Sequence, residues 1–262
     1  MRSLRPLKRR IAKAIYTRRQ SAFAEDRSFT AAYAACAGDR NTAHQYFSHY
    51  YRHILPKALR EHRRYFEVGQ RGFGEDAFHA MWFVLLREFK PVHCLEIGVY
   101  RGQVLSLWAL IGRTLQIPIE ATGISPFSSV GDSVSAYATD VDYLDDTLRA
   151  HDQWQLRHPT LIKALSSDPQ ALEAIARQKW DLAYIDGNHD YDVALEDYRR
   201  CRDALAPRGL LVLDDASLNT TFVPPSFSFA GHPGPSRVAQ EFAHRELKFL
   251  GAVGHNNVFQ LP

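Results

Sequence analysis

The stretch that decides the fold is "VHCLEIGVYRGQVLSLWALIGRTLQ", residues 92–116, which predicts a buried strand, a glycine turn and a helix. Four apolar residues recur at helical spacing and share one face of that helix: Val104, Leu107, Trp108 and Ile111. Gly98 permits a tight turn after the strand, and Gly102 permits a ligand or another strand to approach the start of the helix. The spacing Glu-x-Gly-x-x-x-Gly differs from the Gly-x-Gly-x-x-Gly of dinucleotide sites, and its acid suits a cationic ligand group.

Strand and helix patterns alternate five times along the chain, which predicts a parallel, doubly wound sheet. The predicted strands are 92–98, 119–125, 160–168, 180–187 and 209–216. The final segment, "LKFLGAVGHNNVFQLP", predicts two strands joined by a turn at 254–257. We therefore expect an α/β protein with a Rossmann-like seven-stranded sheet: five parallel strands plus a C-terminal antiparallel hairpin. Helices should cover both faces, after an N-terminal helical extension.

The N-terminal region, residues 1–74, predicts a basic and aromatic helical extension ahead of a domain at 75–262, with a glycine-containing linker at 69–75. The first 20 residues hold eight Arg or Lys and no acid. One interpretation is that they contact an acidic partner, a membrane surface or phosphate. The other is that they form a solvated helix or a packing segment of a homo-oligomer. The aromatics interleaved with bases at 44–66 favour the packed face of a helix over a polyanion site.

The composition indicates one large domain, or a domain with an extension: 262 residues, 45% hydrophobic, with a net charge of +3. This nearly balanced charge gives no expectation of nucleic acid as a partner. No stretch reaches the about 18 consecutive apolar residues of a spanning helix, and the N-terminus lacks the apolar core of a secretory signal. Cys36, Cys94 and Cys201 form no Cys-x-x-Cys pair, so we expect no disulfide framework or thiolate zinc site, and a cytoplasmic location by default.

Two long segments interrupt the alternation, at 125–142 after the second strand and at 217–236 after the fifth. Ligands of open α/β sheets bind at the carboxyl ends of strands, and loops this long are usually lids or binding loops. The second segment carries Phe222, Phe227 and Phe229 among prolines and predicts an apolar cover. The alternative is a surface insertion.

Carboxylates follow two predicted strands that should be neighbours. Asp186 ends the fourth strand, and Asp214 with Asp215 ends the fifth. Converging carboxylates repel one another unless a positive charge lies between them, and Mg²⁺ prefers such oxygen ligands. Asp214 and Asp215 point in opposite directions on an extended strand, so both bind an ion only if the chain turns there. The alternative is that these acids cap helices or accept loop amides.

His189 follows Asp186 by three residues, in the turn into a helix. A helix start disfavours an imidazolium, whereas the surrounding aspartates favour it, so the residues alone leave its charge open. Asp190 and Asp192 suit the start of that helix. His79, His93, His232 and His255 have no comparable context in the sequence.

Three motifs in order, "LEIGVYRGQ", "YIDGNHDY" and "LLVLDDAS", resemble those of class I S-adenosylmethionine-dependent methyltransferases. Residues 76–262 are similar to the branch that contains macrolide-sugar O-methyltransferases and cephalosporin-hydroxylase-like proteins. The resemblance implies that Glu96, Gly98, Tyr100 and Gly102 line the methionine part of the cofactor. It also implies cofactor contacts by the remaining positions: Ser125 at the ribose, in place of the acid usual there, Ser167 and Asp168 at the adenine, and Asp186.

The resemblance further implies that Asp186, Asp214 and Asp215 bind Mg²⁺ and that His189 accepts the proton of a substrate hydroxyl. The predicted activity is a Mg²⁺-dependent O-methyltransferase that acts on a small polyhydroxylated molecule such as a sugar or natural product. Two alternatives stay open at this point. One is a nicotinamide-dependent oxidoreductase, which the glycine spacing and Ser125 disfavour. The other is a non-catalytic assembly protein with this fold.

Overall fold

The computed structural model of the protein describes residues 5–18 and 23–262. Seven strands form one sheet in the order β3-β2-β1-β4-β5-β7-β6. Their bounds are β1 His93–Ile97, β2 Glu120–Ser125, β3 Thr160–Lys163, β4 Trp180–Ile185, β5 Leu205–Leu213, β6 Lys248–Val253 and β7 Asn256–Gln260. Strands β1 to β5 are parallel, and β7 is antiparallel to both β5 and β6. The predicted fold class is confirmed.

The helices surround this sheet. Their bounds are α1 Arg5–Arg18, α2 Phe29–Ala35, α3 Arg40–His53, α4 Lys57–Val68, α5 Asp76–Phe89, α6 Gln103–Leu115, α7 Tyr143–Gln153, α8 Pro169–Ala176, α9 Tyr191–Ala204 and α10 Pro233–Val238. A π-helical turn, Ala239–Ala243, and a last turn, His244–Glu246, extend α10.

Alternate residues of β4 enter two different hydrophobic cores, because successive side chains of a strand point to opposite faces. Leu182 and Tyr184 lie in a core with α5 and α6, whereas Ala183 and Ile185 lie in a core with α8 and α9. The sheet is therefore covered on both faces, as the long apolar runs of its parallel strands predict.

The N-terminal helices pack into the first of these cores. Phe29 of α2 and Phe47 and Tyr50 of α3 are fully buried there, in the same cluster as residues of α5 and β6. The aromatic cluster at 44–66 thus forms the packed face that its spacing favours. The domain boundary near residue 74 stays a prediction, but the first hydrophobic core contains residues from both sides of it. The basic residues at 1–4 and 19–22 lie outside the described residues.

The third and fifth strands differ most from the prediction. The third strand ends at Lys163 instead of 168, because Asp168 accepts a hydrogen bond from the amide of Leu165 at 2.9 Å and closes a turn before α8. The fifth strand begins at Leu205, directly after α9, with a register shift opposite β4. The hairpin turn is shorter than predicted, since Asn256 already belongs to β7.

All three cysteines are free and buried. Among the residues that the structure describes, no helix combines the length and apolar character needed to cross a membrane.

If α2 and α3 belong to the main folding unit, Phe47→Ala should lower the free energy of unfolding by about 3–5 kcal/mol, because it leaves a large cavity. Phe47 is 0% exposed, whereas Phe73 is 74% exposed. The matched control Phe73→Ala should change stability by less than about 0.5 kcal/mol. Urea unfolding followed by circular dichroism measures both. Two separate transitions, with only one shifted by Phe47→Ala, would show that the N-terminal helices unfold independently.

Candidate functional site

A cavity of about 480 Å³ opens at the carboxyl edge of the parallel strands. The turn after β1, the ends of β2, β4 and β5, the loop 126–142 and part of the loop 214–232 line it. Both long segments predicted as binding loops thus reach the cavity. It is the position at which open α/β sheets bind their ligands.

The glycine turn after β1 is required by a close backbone approach. Gly98 has φ +97°, and a Cβ at this position would lie 2.0 Å from the carbonyl oxygen of Asp186. Gly102 has φ +74°, and its Cβ would lie 2.8 Å from Thr147 of α7. The neighbour of Gly102 is therefore a helix, not the ligand or strand that we expected. The two glycines allow β4 and α7 to approach the turn and so form one wall of the cavity.

Glu96 is a buried acid that faces the cavity from β1. Burial raises the pKa of its carboxyl well above the ordinary value, and the charge of Asp214 adds to that rise. Its Oε2 atom has no hydrogen-bond partner among the described residues. A ligand with a positive or hydrogen-donating group would satisfy this atom.

Ser125 ends β2 where an acid was expected from related proteins. Its hydroxyl donates to the carbonyl oxygen of Val99 at 2.9 Å, so its proton is already engaged. Ser125 does line the cavity.

The predicted adenine contacts of Ser167 and Asp168 are wrong, because β3 ends before it reaches them. Neither residue lines the cavity; Leu165 and Ser166 do so in their place. Sequence reasoning also missed Asp197, a fully buried residue of α9 that lines the cavity. Burial raises the pKa of Asp197 to about 6. Its position three residues after Ala194 and four before Cys201 places it on the apolar face of α9, and this spacing could have identified it.

The chain turns at the end of β5, as simultaneous use of Asp214 and Asp215 requires. The strand ends at Leu213, and Asp215 has φ +52°, a left-handed conformation that is uncommon for a residue other than glycine. Both carboxylates consequently face His255, whose Nδ1 lies 2.7 Å from Asp214 Oδ1 and 3.0 Å from Asp215 Oδ1. These three residues are almost fully buried and could hold a metal ion together.

Asp186 joins this cluster through Tyr184. The Tyr184 hydroxyl donates to Asp214 Oδ2 at 2.7 Å and lies 3.2 Å from Asp186 Oδ2. Burial, followed by the charges of Asp214 and Asp215, raises the pKa of Asp186 well above the ordinary value. The convergence of the three predicted acids is therefore present, and it disfavours their simultaneous ionisation without a compensating cation.

His189 is held between two carboxylates. Its Nδ1 lies 2.6 Å from Asp132 Oδ2, which also accepts its backbone amide at 2.9 Å, and its Nε2 lies 2.9 Å from Asp215 Oδ2. Burial opposes a charged ring, but the hydrogen bonds and charges of Asp215 and Asp132 outweigh it and raise the pKa of His189. Asp132, in the loop 126–142, is a functional candidate that the sequence did not single out.

His255 and His232 were wrongly set aside as histidines without context. His255 occupies the hairpin turn, where Asp214 and Asp215 raise its pKa well above the ordinary value against the effect of burial. His232 Nε2 lies 3.7 Å from Asp215 Oδ2, and its ring centroid lies 4.2 Å from that of His189. The pairing of β5 with β7 could have identified His255: Leu213 pairs with Asn257, and two more antiparallel steps bring Asp215 opposite His255. No comparable strand pairing could have identified His232, which lies in a loop.

The phenylalanines of the loop 214–232 divide between two surroundings. The ring of Phe229 lies 4.6 Å from that of His255 and covers the cavity. Phe222 and Phe227 instead contact His44 of α3, at 5.6 and 6.4 Å between ring centroids. The predicted apolar cover is therefore Phe229 alone, while the other two rings anchor the loop on the N-terminal helices.

A family model described as a methyltransferase domain matches residues 95–216, from β1 to the end of the acidic cluster. No curated protein sequence matches the chain.

Solved methyltransferase structures share the fold over most of their length. The O-methyltransferase of Bacillus cereus, solved with SAH, is 14% identical, with 80% of this chain and 93% of that chain covered and a TM-score of 0.55. TomG of Streptomyces achromogenes, an O-methyltransferase involved in tomaymycin synthesis and solved with S-adenosylmethionine, is 15% identical over 85% and 96%, with a TM-score of 0.52. The SAH-bound methyltransferase PaMTH1 of Podospora anserina is 14% identical over 79% and 89%, with a TM-score of 0.53.

Gly98→Ala should destabilise the protein by more than a left-handed backbone alone explains. Gly38 provides the control, since its φ is +71° but the nearest atom to an added Cβ is 4.0 Å away. We expect Gly38→Ala to cost about 1 kcal/mol and Gly98→Ala at least about 2 kcal/mol more, because β1 and β4 must separate. Chemical unfolding of the two variants measures the difference. Equal losses would contradict a role for Gly98 in the close approach of these strands.

Proposed function

We propose that this chain is a class I S-adenosylmethionine-dependent methyltransferase, as the match of residues 95–216 to a methyltransferase domain indicates, and that it transfers a methyl group from S-adenosylmethionine to a hydroxyl of a small polyhydroxylated molecule, such as a sugar or natural product. The observation that carries this proposal is the content of one cavity. A glycine turn with a buried acid and a cluster of histidines and carboxylates line the same cavity. The first suits a cationic cofactor, and the second suits removal of a hydroxyl proton.

The methionine part of the cofactor would lie against the turn after β1, where Gly98 and Tyr100 line the cavity; Gly102 faces α7 and does not line it. Glu96 supports this placement, because its unpartnered Oε2 faces the cavity. A positive cofactor group beside Glu96 would reverse the upward shift of its pKa and favour the ionised carboxylate.

The adenosine part would extend towards the ends of β2 and β3. The Ser125 hydroxyl can still accept a hydrogen bond there, although its proton is engaged by Val99. Ser166 and Asp197 are the polar residues that line this end next to Leu165. We assign to Asp197 the carboxylate contact to the nucleoside that Ser125 lacks.

The substrate hydroxyl would lose its proton to Nε2 of His189. Asp132 orients the ring through Nδ1, and the charge of Asp132 stabilises the imidazolium that forms. The Oδ2 atom of Asp215 lies 2.9 Å from this nitrogen. For His189 to act as a base, the bound state must draw Asp215 away from the ring and leave Nε2 free.

A divalent cation held by Asp186, Asp214 and Asp215 is the second part of the proposal, with Mg²⁺ as the ion predicted from the sequence. The donor set fits a cation, since the crowded carboxylates raise the pKa of Asp186. Such an ion would lower the pKa of a substrate hydroxyl bound to it. It would also compete with His189 for Asp215, which favours the neutral ring.

Titration calorimetry of the purified protein with S-adenosylhomocysteine, with and without divalent metal, tests the cofactor. We expect micromolar binding, and no comparable heat with NAD⁺ or NADP⁺. Binding of a nicotinamide cofactor alone would favour the oxidoreductase. Folded protein that binds none of these ligands would favour a non-catalytic assembly role.

His189→Asn should keep the affinity for S-adenosylhomocysteine and lower methyl transfer by about 10²–10⁴-fold, because the general base is lost. Transfer of label from methyl-labelled cofactor to a panel of sugars and catechols measures the rate. His93→Gln is the control, since His93 is a half-exposed residue that pairs with Glu120 on the surface. Equal rates in the wild type and His189→Asn would remove the proton-accepting role of His189.

A further inference from the structure

We propose that the cation site is a mixed histidine–carboxylate site, in which His255 joins Asp214 and Asp215 as a ligand. Its resident ion is then a first-row transition metal such as Mn²⁺, Fe²⁺ or Co²⁺ rather than Mg²⁺. This inference rests on the cation of the proposed function and revises its ligands and its class: His255 takes the place that the proposed function gives to Asp186.

The three ligand atoms are already spaced for a single ion. His255 Nδ1 lies 2.7 Å from Asp214 Oδ1 and 3.0 Å from Asp215 Oδ1. Neighbouring ligands of an octahedral ion with bonds of about 2.1 Å lie about 3.0 Å apart. All three residues line the cavity, so further positions on the ion would face substrate or water.

The backbone conformation of Asp215 favours a metal site over an incidental contact among these side chains. An extended chain would direct Asp214 and Asp215 to opposite faces, whereas φ +52° at Asp215 brings both towards His255. Such a conformation is strained in a residue other than glycine and persists where the surroundings impose it. The register of β5 with β7 supplies those surroundings.

A second layer of residues orients the ligands. Tyr184 donates to the other oxygen of Asp214 at 2.7 Å. The rings of Phe78 and Phe229 lie 4.7 and 4.6 Å from that of His255 and surround it with apolar surface. Outer hydrogen bonds and an apolar shell of this kind tune metal sites in proteins.

The nitrogen ligand decides which ion is preferred. Mg²⁺ binds oxygen almost exclusively and keeps several waters, whereas imidazole is a ligand of first-row transition metal ions. A site of two carboxylates and one buried imidazole should therefore bind Mn²⁺ and Co²⁺ more tightly than Mg²⁺.

Two other arrangements use the same side chains. His255 could serve only as an imidazolium paired with the two acids. A second set, His189, Asp215 and His232, shares Asp215 and could also hold an ion. Its nitrogens lie 2.9 and 3.7 Å from Asp215 Oδ2, a less even spacing, and it would remove His189 from its place as a base.

Electron spin resonance of Mn²⁺ added to metal-free wild-type protein tests the site without any need for turnover. We expect one bound ion per chain, displaced by Mg²⁺ only at concentrations at least about tenfold higher. Electron spin echo modulation from ¹⁴N should report a directly bound imidazole. His255→Asn should remove this modulation and weaken Mn²⁺ binding at least about tenfold. His232→Asn, the matched control, should keep the modulation.

Three results would overturn the inference: bound Mn²⁺ without nitrogen modulation in the wild type, no Mn²⁺ binding, or loss of modulation in His232→Asn but not in His255→Asn. The wild-type spectrum decides the first two even if His255→Asn fails to fold. Binding of S-adenosylhomocysteine by the metal-free protein separates the outcomes, since its presence with a failed metal test leaves the methyltransferase proposal intact.

Discussion

The imidazole of His255, buried between Asp214 and Asp215, is the interaction on which this cavity depends. Burying several carboxylates on neighbouring strands costs several kcal/mol per unpaired charge. His255 offsets part of that cost, at 2.7 and 3.0 Å from the two acids. Because His255 lies in the hairpin turn, the same strand pairing that closes the sheet also brings this imidazole to the acids.

The second support of the cavity comes from the N-terminal helices. Arg40 of α3 donates to Ser217 at 2.9 Å, and Asn41 donates to the carbonyl oxygen of Thr221 at 2.8 Å. These contacts hold the loop 214–232 against α3, while Phe229 in the same loop lies on His255. The N-terminal helices therefore position the cover of the cavity as well as contributing to the core. Sequence patterns showed the amphipathic face of α3 but not which loop it would hold.

Some residues of the site could be placed from the local sequence pattern, and others could not. Asp186, Asp214 and Asp215 follow apolar runs directly, so their place at one sheet edge could be predicted from strand order. Ser167 and Asp168 were misplaced because the side chain of Asp168 ends β3 early, which a run of apolar residues does not reveal. Such errors arise where a single hydrogen bond, and not periodicity, decides a boundary.

By itself the sequence determined the order of strands and helices, the glycine turn after β1 and the acids that end β4 and β5, because each is a local pattern of burial, spacing or backbone freedom. Only the tertiary structure decided that His255 from the hairpin, and His232 and Asp132 from the two long loops, surround these acids. Their positions depend on strand register and loop packing between residues distant in the chain. For that reason the predicted all-carboxylate cluster proved to be a cluster of carboxylates and histidines.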